Sequence, residues 1–157
     1  GGHCIAVDPW FIVSSAPEQA RLIRTARTVN DAKPHWVIDQ VHAAIGHHLM
    51  EHPKQSAADV TLAIYGLAFK PDIDDLRESP ALKISQALAA SHPGQVLAVE
   101  PNITELDGPL GAGIILADFK AAVGCADIHI VLVDHTPFKT AAPPSGLIID
   151  TKGIWSS

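Results

Sequence analysis

The chain has 157 residues, 47% of them apolar, and a formal net charge of −6. That length buries the core of one domain with some chain to spare, and the acidic balance speaks against a general attraction to nucleic acid or to a membrane surface. No apolar run reaches membrane-spanning length, and Cys4 and Cys125, the only cysteines, make no disulfide framework, so a cytoplasmic protein is expected.

The chain opens Gly1-Gly2-His3-Cys4 with no initiator methionine, which reads as a piece cut from something longer. Residues 1–13 read as irregular, with a glycine pair at the start and Asp8-Pro9-Trp10-Phe11 further on. Ser14 or Ser15 can cap a helix with Pro17 and Glu18 in its first turn, running to about Asn30. A second helix starts near Pro34 and ends before Pro53, with Trp36, Val37, Val41, Ala44, Ile45 and Leu49 at helical spacing. A polar connector follows, and the pattern changes near Ser56, dividing a helical region, 1–55, from an α/β domain, 56–157.

In the second region strands and helices alternate. Residues 61–66, Thr-Leu-Ala-Ile-Tyr-Gly, are a short apolar run with β-branched and aromatic residues, which suits a buried parallel strand. A turn, 67–71, and a charged loop, 72–78, lead to Ser79-Pro80, an N-cap with proline at the first helical position. Further strands are expected at 95–100, 114–116, 128–133 and 147–150, with a short helix capped by Asp118. Strands alternating with short helices give a doubly wound α/β fold with a parallel sheet. Ligands of such folds sit at the carboxyl ends of the strands, where Lys70 and Arg77 lie on the first loop.

Several groups carry chemistry. Cys4 stands beside two glycines that allow close backbone approach, so it is a candidate nucleophile; the competing reading is a free thiol at a frayed end. Asp8, four residues on, is placed to orient a water or a base. Cys125 sits in an apolar segment and reads as a buried structural cysteine. Of nine histidines, His48 and His52, four apart, could share a helix face with His47 beside them, but Pro53 ends the helix and no matched thiolate or carboxylate spacing accompanies them; a solvated helix end is expected, and no metal site. Gly66 is followed by Leu67-Ala68-Phe69 and not by G-x-G-x-x-G, so the first loop lacks the sequence that cradles a dinucleotide pyrophosphate. Glu100 stands where a dinucleotide domain keeps its ribose-binding acid, yet with Pro101 next it reads as a structural anchor of the loop. A nucleotide held by Lys70 and nearby backbone competes with a solvated ion-pair loop of Lys70, Asp74, Asp75 and Arg77.

Three stretches carry a resemblance. They are Gly-Gly-His-Cys-Ile-Ala-Val-Asp-Pro-Trp-Phe at 1–11, Arg24-Thr25-Ala26-Arg27 with Asn30-Asp31, and 66–80, Gly-Leu-Ala-Phe-Lys-Pro-Asp through Asp-Asp-Leu-Arg-Glu-Ser-Pro. With Val99-Glu100-Pro101-Asn102, Leu132-Val133-Asp134-His135 and Asp150-Thr151-Lys152-Gly153, the chain closely resembles the UDP-sugar dehydrogenases. The resemblance implies an NAD-dependent, two-step oxidation of a sugar C6 alcohol to a carboxylate, with Cys4 as nucleophile through a thiohemiacetal and a thioester and Asp8 positioning water or tuning the thiol. It implies a Rossmann-like domain that holds the UDP part, with Phe69 and Lys70 on the UDP-sugar, Lys152 as a further substrate contact, and Arg77 reaching the NAD held by another domain. It also implies a homodimer through the N-terminal helices, a C-terminal fragment that lacks the NAD-binding domain, and no oxidation by the fragment alone.

Overall fold

The computed structural model describes residues 3–106 and 111–155. It divides into two compact units that part between Trp36 and Val37. That division lies within a helix, upstream of the expected 55/56, because Val37, Val41 and Ile45 belong to the core of the α/β unit.

The first unit is helical almost from its start. Helix α1 is His3–Ser15, so the expected irregular segment is an error; Gly1 and Gly2 lie outside the described residues. Pro9 and the residue before it argue against a helix here. Pro9 removes only one donor, though, and the ladder carries on past it to the bond from Ala16 N–H to the Ile12 carbonyl, 3.0 Å. Ser15, expected as an N-cap, is the last residue of α1 and donates its hydroxyl to the Phe11 carbonyl. Helix α2 is Arg21–Glu51 and runs unbroken through Pro34, where two helices were expected. Extending an existing helix costs less than nucleating a second one. Local pairs flank the proline: Arg27 bonds Asp31, and the Lys33 ammonium lies 3.4 Å from the Trp36 ring centroid.

The second unit is the expected α/β domain. A 3₁₀ turn at Ala57–Asp59 leads into strand β1 (Leu62–Tyr65), helix α3 (Pro80–Ser91), β2 (Val96–Val99) and β3 (Ile115–Leu116). Helix α4 (Phe119–Cys125), β4 (Ile128–Val131), α5 (Thr136–Thr140) and β5 (Leu147–Asp150) complete it. The five strands form one sheet in the order β3-β2-β1-β4-β5, every neighbouring pair parallel. β1 is central, with Leu62 opposite Val96 on one side and Ile128 on the other.

Alternation of side chains across the strands builds two cores. On one face Leu62, Ile64 and Ile130 meet Val41 of α2 and Leu88 of α3. On the other, Tyr65 and Val131 meet Phe138 and Trp155, with the Tyr65 and Trp155 rings edge to face at 4.8 Å. The expected caps are present: Ser79 accepts from Leu82 N–H at 3.3 Å and Asp118 from Ala121 N–H at 2.8 Å. Cys125, expected to be buried, is exposed at the end of α4 with its thiol on the Ala121 carbonyl, because it falls on the solvent side of the helix while Ala122 takes the buried side.

Candidate functional site

The strand order reverses direction between β1 and β4, so the ligand crevice of this fold lies beyond the carboxyl ends of those two strands. Its lips are residues 66–70 and 133–136. They meet where Gly66, at φ +89°, crosses Val133: a Cβ on Gly66 would stand 2.4 Å from the Val133 Cβ and 2.9 Å from its nitrogen. A side chain is excluded there by both conformation and space.

Beneath the lips lies a buried polar network. Glu100, just past β2, is 6% exposed. Its Oε2 accepts from Leu67 N–H at 2.7 Å and Ala68 N–H at 3.0 Å, and from His135 Nε2 at 3.1 Å. Its Oε1 accepts from the main-chain and side-chain nitrogens of Asn102, at 3.2 and 3.5 Å. Burial works against the charge of Glu100, but the His135 bond and the main-chain donors of Leu67 and Asn102 outweigh it and hold the carboxyl below the ordinary glutamate range. His135 is fully buried, and its Nδ1 accepts from Asp72 N–H at 2.9 Å. The imidazole proton therefore sits on Nε2, aimed at Glu100. The anchor read for Glu100 in the sequence is thus present, and its partners come from three loops.

The outer turn of the first lip is closed by Phe69 N–H on the Asp75 carbonyl, 2.8 Å, and by the Ser79 hydroxyl on the Leu67 carbonyl, 2.6 Å. Asp72, at φ +60°, crosses to the other lip and accepts from Thr136 N–H and its hydroxyl, at 2.9 and 2.7 Å. Those two bonds hold the Asp72 carboxyl below its ordinary value. Asp72 thereby caps α5, a helix missed in the sequence because its cap lies 64 positions away.

Of the residues singled out in the sequence, Phe69 is half-buried and Lys70 exposed on this lip. Among the described residues the Lys70 ammonium has no ion-pair partner. Arg77 instead closes a fork on Asp75, Nε to Oδ1 at 2.9 Å and Nη2 to Oδ2 at 2.8 Å, which is the ion pair expected of a solvated loop. Lys152 is exposed past β5, on a turn whose N–H groups at Lys152, Gly153 and Trp155 all bond the Asp150 carboxylate. Its charge reaches the second lip: Lys139 first, then Lys152, helps hold Asp134 below its ordinary value. Cys4 and Asp8 belong to the other compact unit, exposed and four residues apart on α1, hence on one helix face.

The sequence missed the roles of His135, Asn102 and Asp72. The one signal was their place within the stretches that carry the resemblance, 66–80, 99–102 and 132–135. The histidines of α2 also need correction. His48 is 7% exposed, with Nε2 on Gln55 at 2.8 Å and its ring stacked on His52 at 4.2 Å, so one face of this helix end is packed while His47 and His52 remain exposed as expected. It borders an open depression of about 410 Å³ at the amino ends of β4 and β5, shared with Asp127, Ser145 and Gly146. Among the described residues no three metal-ligating side chains converge, and no helix is long and apolar enough to cross a membrane.

Residues 63–157 match the UDP-glucose/GDP-mannose dehydrogenase family, UDP binding domain. A Salmonella typhi protein named UDP-N-acetyl-D-mannosamine dehydrogenase is 55% identical, over 99% of this chain and 37% of its own length. A Ralstonia nicotianae protein named NDP-N-acetyl-D-galactosaminuronic acid dehydrogenase is 50% identical, over 100% of this chain and 36% of its own. The solved structure of a Staphylococcus aureus UDP-N-acetyl-mannosamine dehydrogenase aligns with TM-score 0.74 and 34% identity, over 100% of this chain and 35% of that one. The chain thus spans little more than a third of the length of these relatives. With the expected parallel sheet, a crevice at its switch point and a family match over most of the chain, this chain belongs to the UDP-glucose/GDP-mannose dehydrogenase family and contains its UDP binding domain.

Proposed function

We propose that the protein oxidises UDP-N-acetylmannosamine at C6 to the uronate with NAD, and that this chain contributes the nucleotide-holding domain and the thiol. The observation that carries the reading is the crevice itself. It presents the Lys70 ammonium, which has no ion-pair partner among the described residues, beside a half-buried aromatic, Phe69, on a lip fixed from below, with Lys152 at the next strand end. A diphosphate suits the two cations, Lys70 acting as a point charge, and a uracil ring suits Phe69. The acetamido sugar is favoured over glucose because the relatives at 55% and 50% identity are both named for N-acetylhexosamine derivatives.

NAD, when bound, takes up the hydrides of both oxidations. It does not fit the crevice described here, where the N–H groups that a pyrophosphate needs already hold Glu100. We therefore assign it to a part of the protein outside this chain, toward which Arg77 would reach. The chain's own part is nucleophilic. The Cys4 thiolate adds to the C6 aldehyde to give a thiohemiacetal, and the thioester formed from it is hydrolysed by a water held by Asp8. A thiol suits both stages because a thioester forms readily and is cleaved readily. We further infer that α1 and α2 make the homodimer contact, since Phe11, Leu22 and Val29 are each more than two-thirds exposed.

Calorimetric titration of the chain with UDP and with NAD tests the reading. UDP should bind and NAD should not, and Lys70→Ala should weaken UDP binding about three- to tenfold. UDP binding that Lys70→Ala leaves unchanged would remove Lys70 from the site. Reduction of NAD by the isolated chain in the presence of the UDP-sugar would overturn the division of labour.

A further inference from the structure

The Glu100 carboxylate lies where an α/β nucleotide domain ordinarily receives an anion from outside. The main-chain N–H groups of Leu67 and Ala68 leave the central strand side by side, and in a dinucleotide fold the corresponding groups face the pyrophosphate. Here both point at Glu100 Oε2, and His135 Nε2–H completes three donors on one oxygen. The other oxygen takes donors only, from Asn102. Every hydrogen bond made to this carboxylate is therefore donated to it, and the group is 6% exposed.

We infer that Glu100 is a built-in anion that fills the amide cradle at the end of β1 and so acts as the positioning residue of the nucleotide crevice. Two consequences follow from its charge and its bonds. The carboxylate ties the first lip to the second through His135, whose Nδ1 receives Asp72 N–H, so the position of Lys70 is set by a residue that does not itself face the crevice. The carboxylate also keeps a second anion off those amides, which leaves the diphosphate of a nucleotide to the exposed ammonium groups of Lys70 and Lys152. This inference rests on the nucleotide-binding reading of the crevice given above.

A carboxamide cannot replace the group, because an NH₂ would face donors whichever way it turned. A small free carboxylate can. The test is therefore Glu100→Ala with and without sodium formate, sodium chloride being the ionic-strength control. Two quantities are read: the melting temperature, and UDP affinity measured well below it. Without formate, Glu100→Ala should melt lower than the parent chain and bind UDP about tenfold or more weakly. Formate should raise both toward the parent values in Glu100→Ala, and should restore UDP affinity neither in the parent chain nor in Lys70→Ala. A purely structural role would let formate move the melting temperature alone. UDP affinity unchanged in Glu100→Ala, or lowered but not restored by formate, overturns the inference while leaving UDP binding by the parent intact. A parent chain that fails to bind UDP overturns the functional reading, and the positioning role with it, whatever formate does to stability. If Glu100→Ala does not fold, Glu100→Asp keeps the charge one methylene short. Weakened UDP binding in a folded Glu100→Asp supports the inference, and unchanged binding overturns it.

Discussion

Replacing Gly66 by alanine should be among the most damaging single-methyl changes available in this chain. Gly66 sits at φ +89°, where a Cβ meets the backbone, which costs about 1–2 kcal/mol. The methyl would also stand 2.4 Å from the Val133 Cβ and 2.9 Å from the Val133 nitrogen. Neither neighbour yields easily: Val133 is 4% exposed and its N–H is tied to the Tyr65 carbonyl at 3.2 Å. Overpacking of this kind adds about 1–3 kcal/mol, so the expected loss is about 2–5 kcal/mol, and each kcal/mol is worth about 2–4 °C of melting temperature at this chain length. Urea and thermal unfolding of Gly66→Ala measure it directly. The matched control is Gly46→Ala in the interior of α2, where a Cβ meets nothing within 4 Å; alanine there should stabilise by about 0.5–1 kcal/mol. If Gly66→Ala unfolds with the parent chain, the crossing of the two lips is not as close as described, and the account of the crevice fails with it.

Ser79→Ala removes both the N-cap of α3 and the buried hydroxyl bond to the Leu67 carbonyl, so it should cost about 1.5–3 kcal/mol in urea denaturation, and a loss under 0.5 kcal/mol would contradict the assignment. The acid limb of stability should also respond to the network. Glu100 and Asp72 both titrate below their ordinary values in the fold, so the unfolded chain takes up protons first as pH falls; the stabilisation is complete above the ordinary carboxylate range and is lost below about pH 5. Asp72→Asn keeps an acceptor for Thr136 but no longer titrates, so its melting temperature should fall less steeply than the parent's between about pH 5 and 3. Parallel curves would show that Asp72 does not contribute.

The sheet was legible because each strand is a short apolar run, and because caps such as Ser79 and Asp118 act within three residues of themselves. Helices α1 and α2 were misread for the converse reason. Pro9 and Pro34 are strong local signals, and the helix ladder overrode both. Charge and position single out Lys70 in the sequence, and the first loop, which lacks a glycine fingerprint, has its N–H groups at Leu67 and Ala68 on Glu100. What sequence spacing does not reveal is that Glu100 reaches back 33 positions to Leu67 and forward 35 to His135, or that Asp72 caps a helix 64 positions on. Those partners are chosen by the topology of the sheet, and no local pattern encodes them.

The placement of β1 at the centre of the sheet also sets a schedule. Leu62 pairs with Val96, 34 residues later, and with Ile128, 66 residues later. Contacts at such separations close slowly. During synthesis, β1 emerges with both of its edges open and waits for its partners, the second arriving only in the last third of the chain. Until β4 docks, Gly66 has no Val133 to lie against and Glu100 has no His135. The crevice therefore comes into being when β4 pairs with β1, and a nascent or truncated chain ending before residue 128 would expose an apolar central strand with one free edge, a state prone to association with other chains. Nucleotide binding in this domain would thus report the docking of β4 on β1 as well as the presence of a ligand.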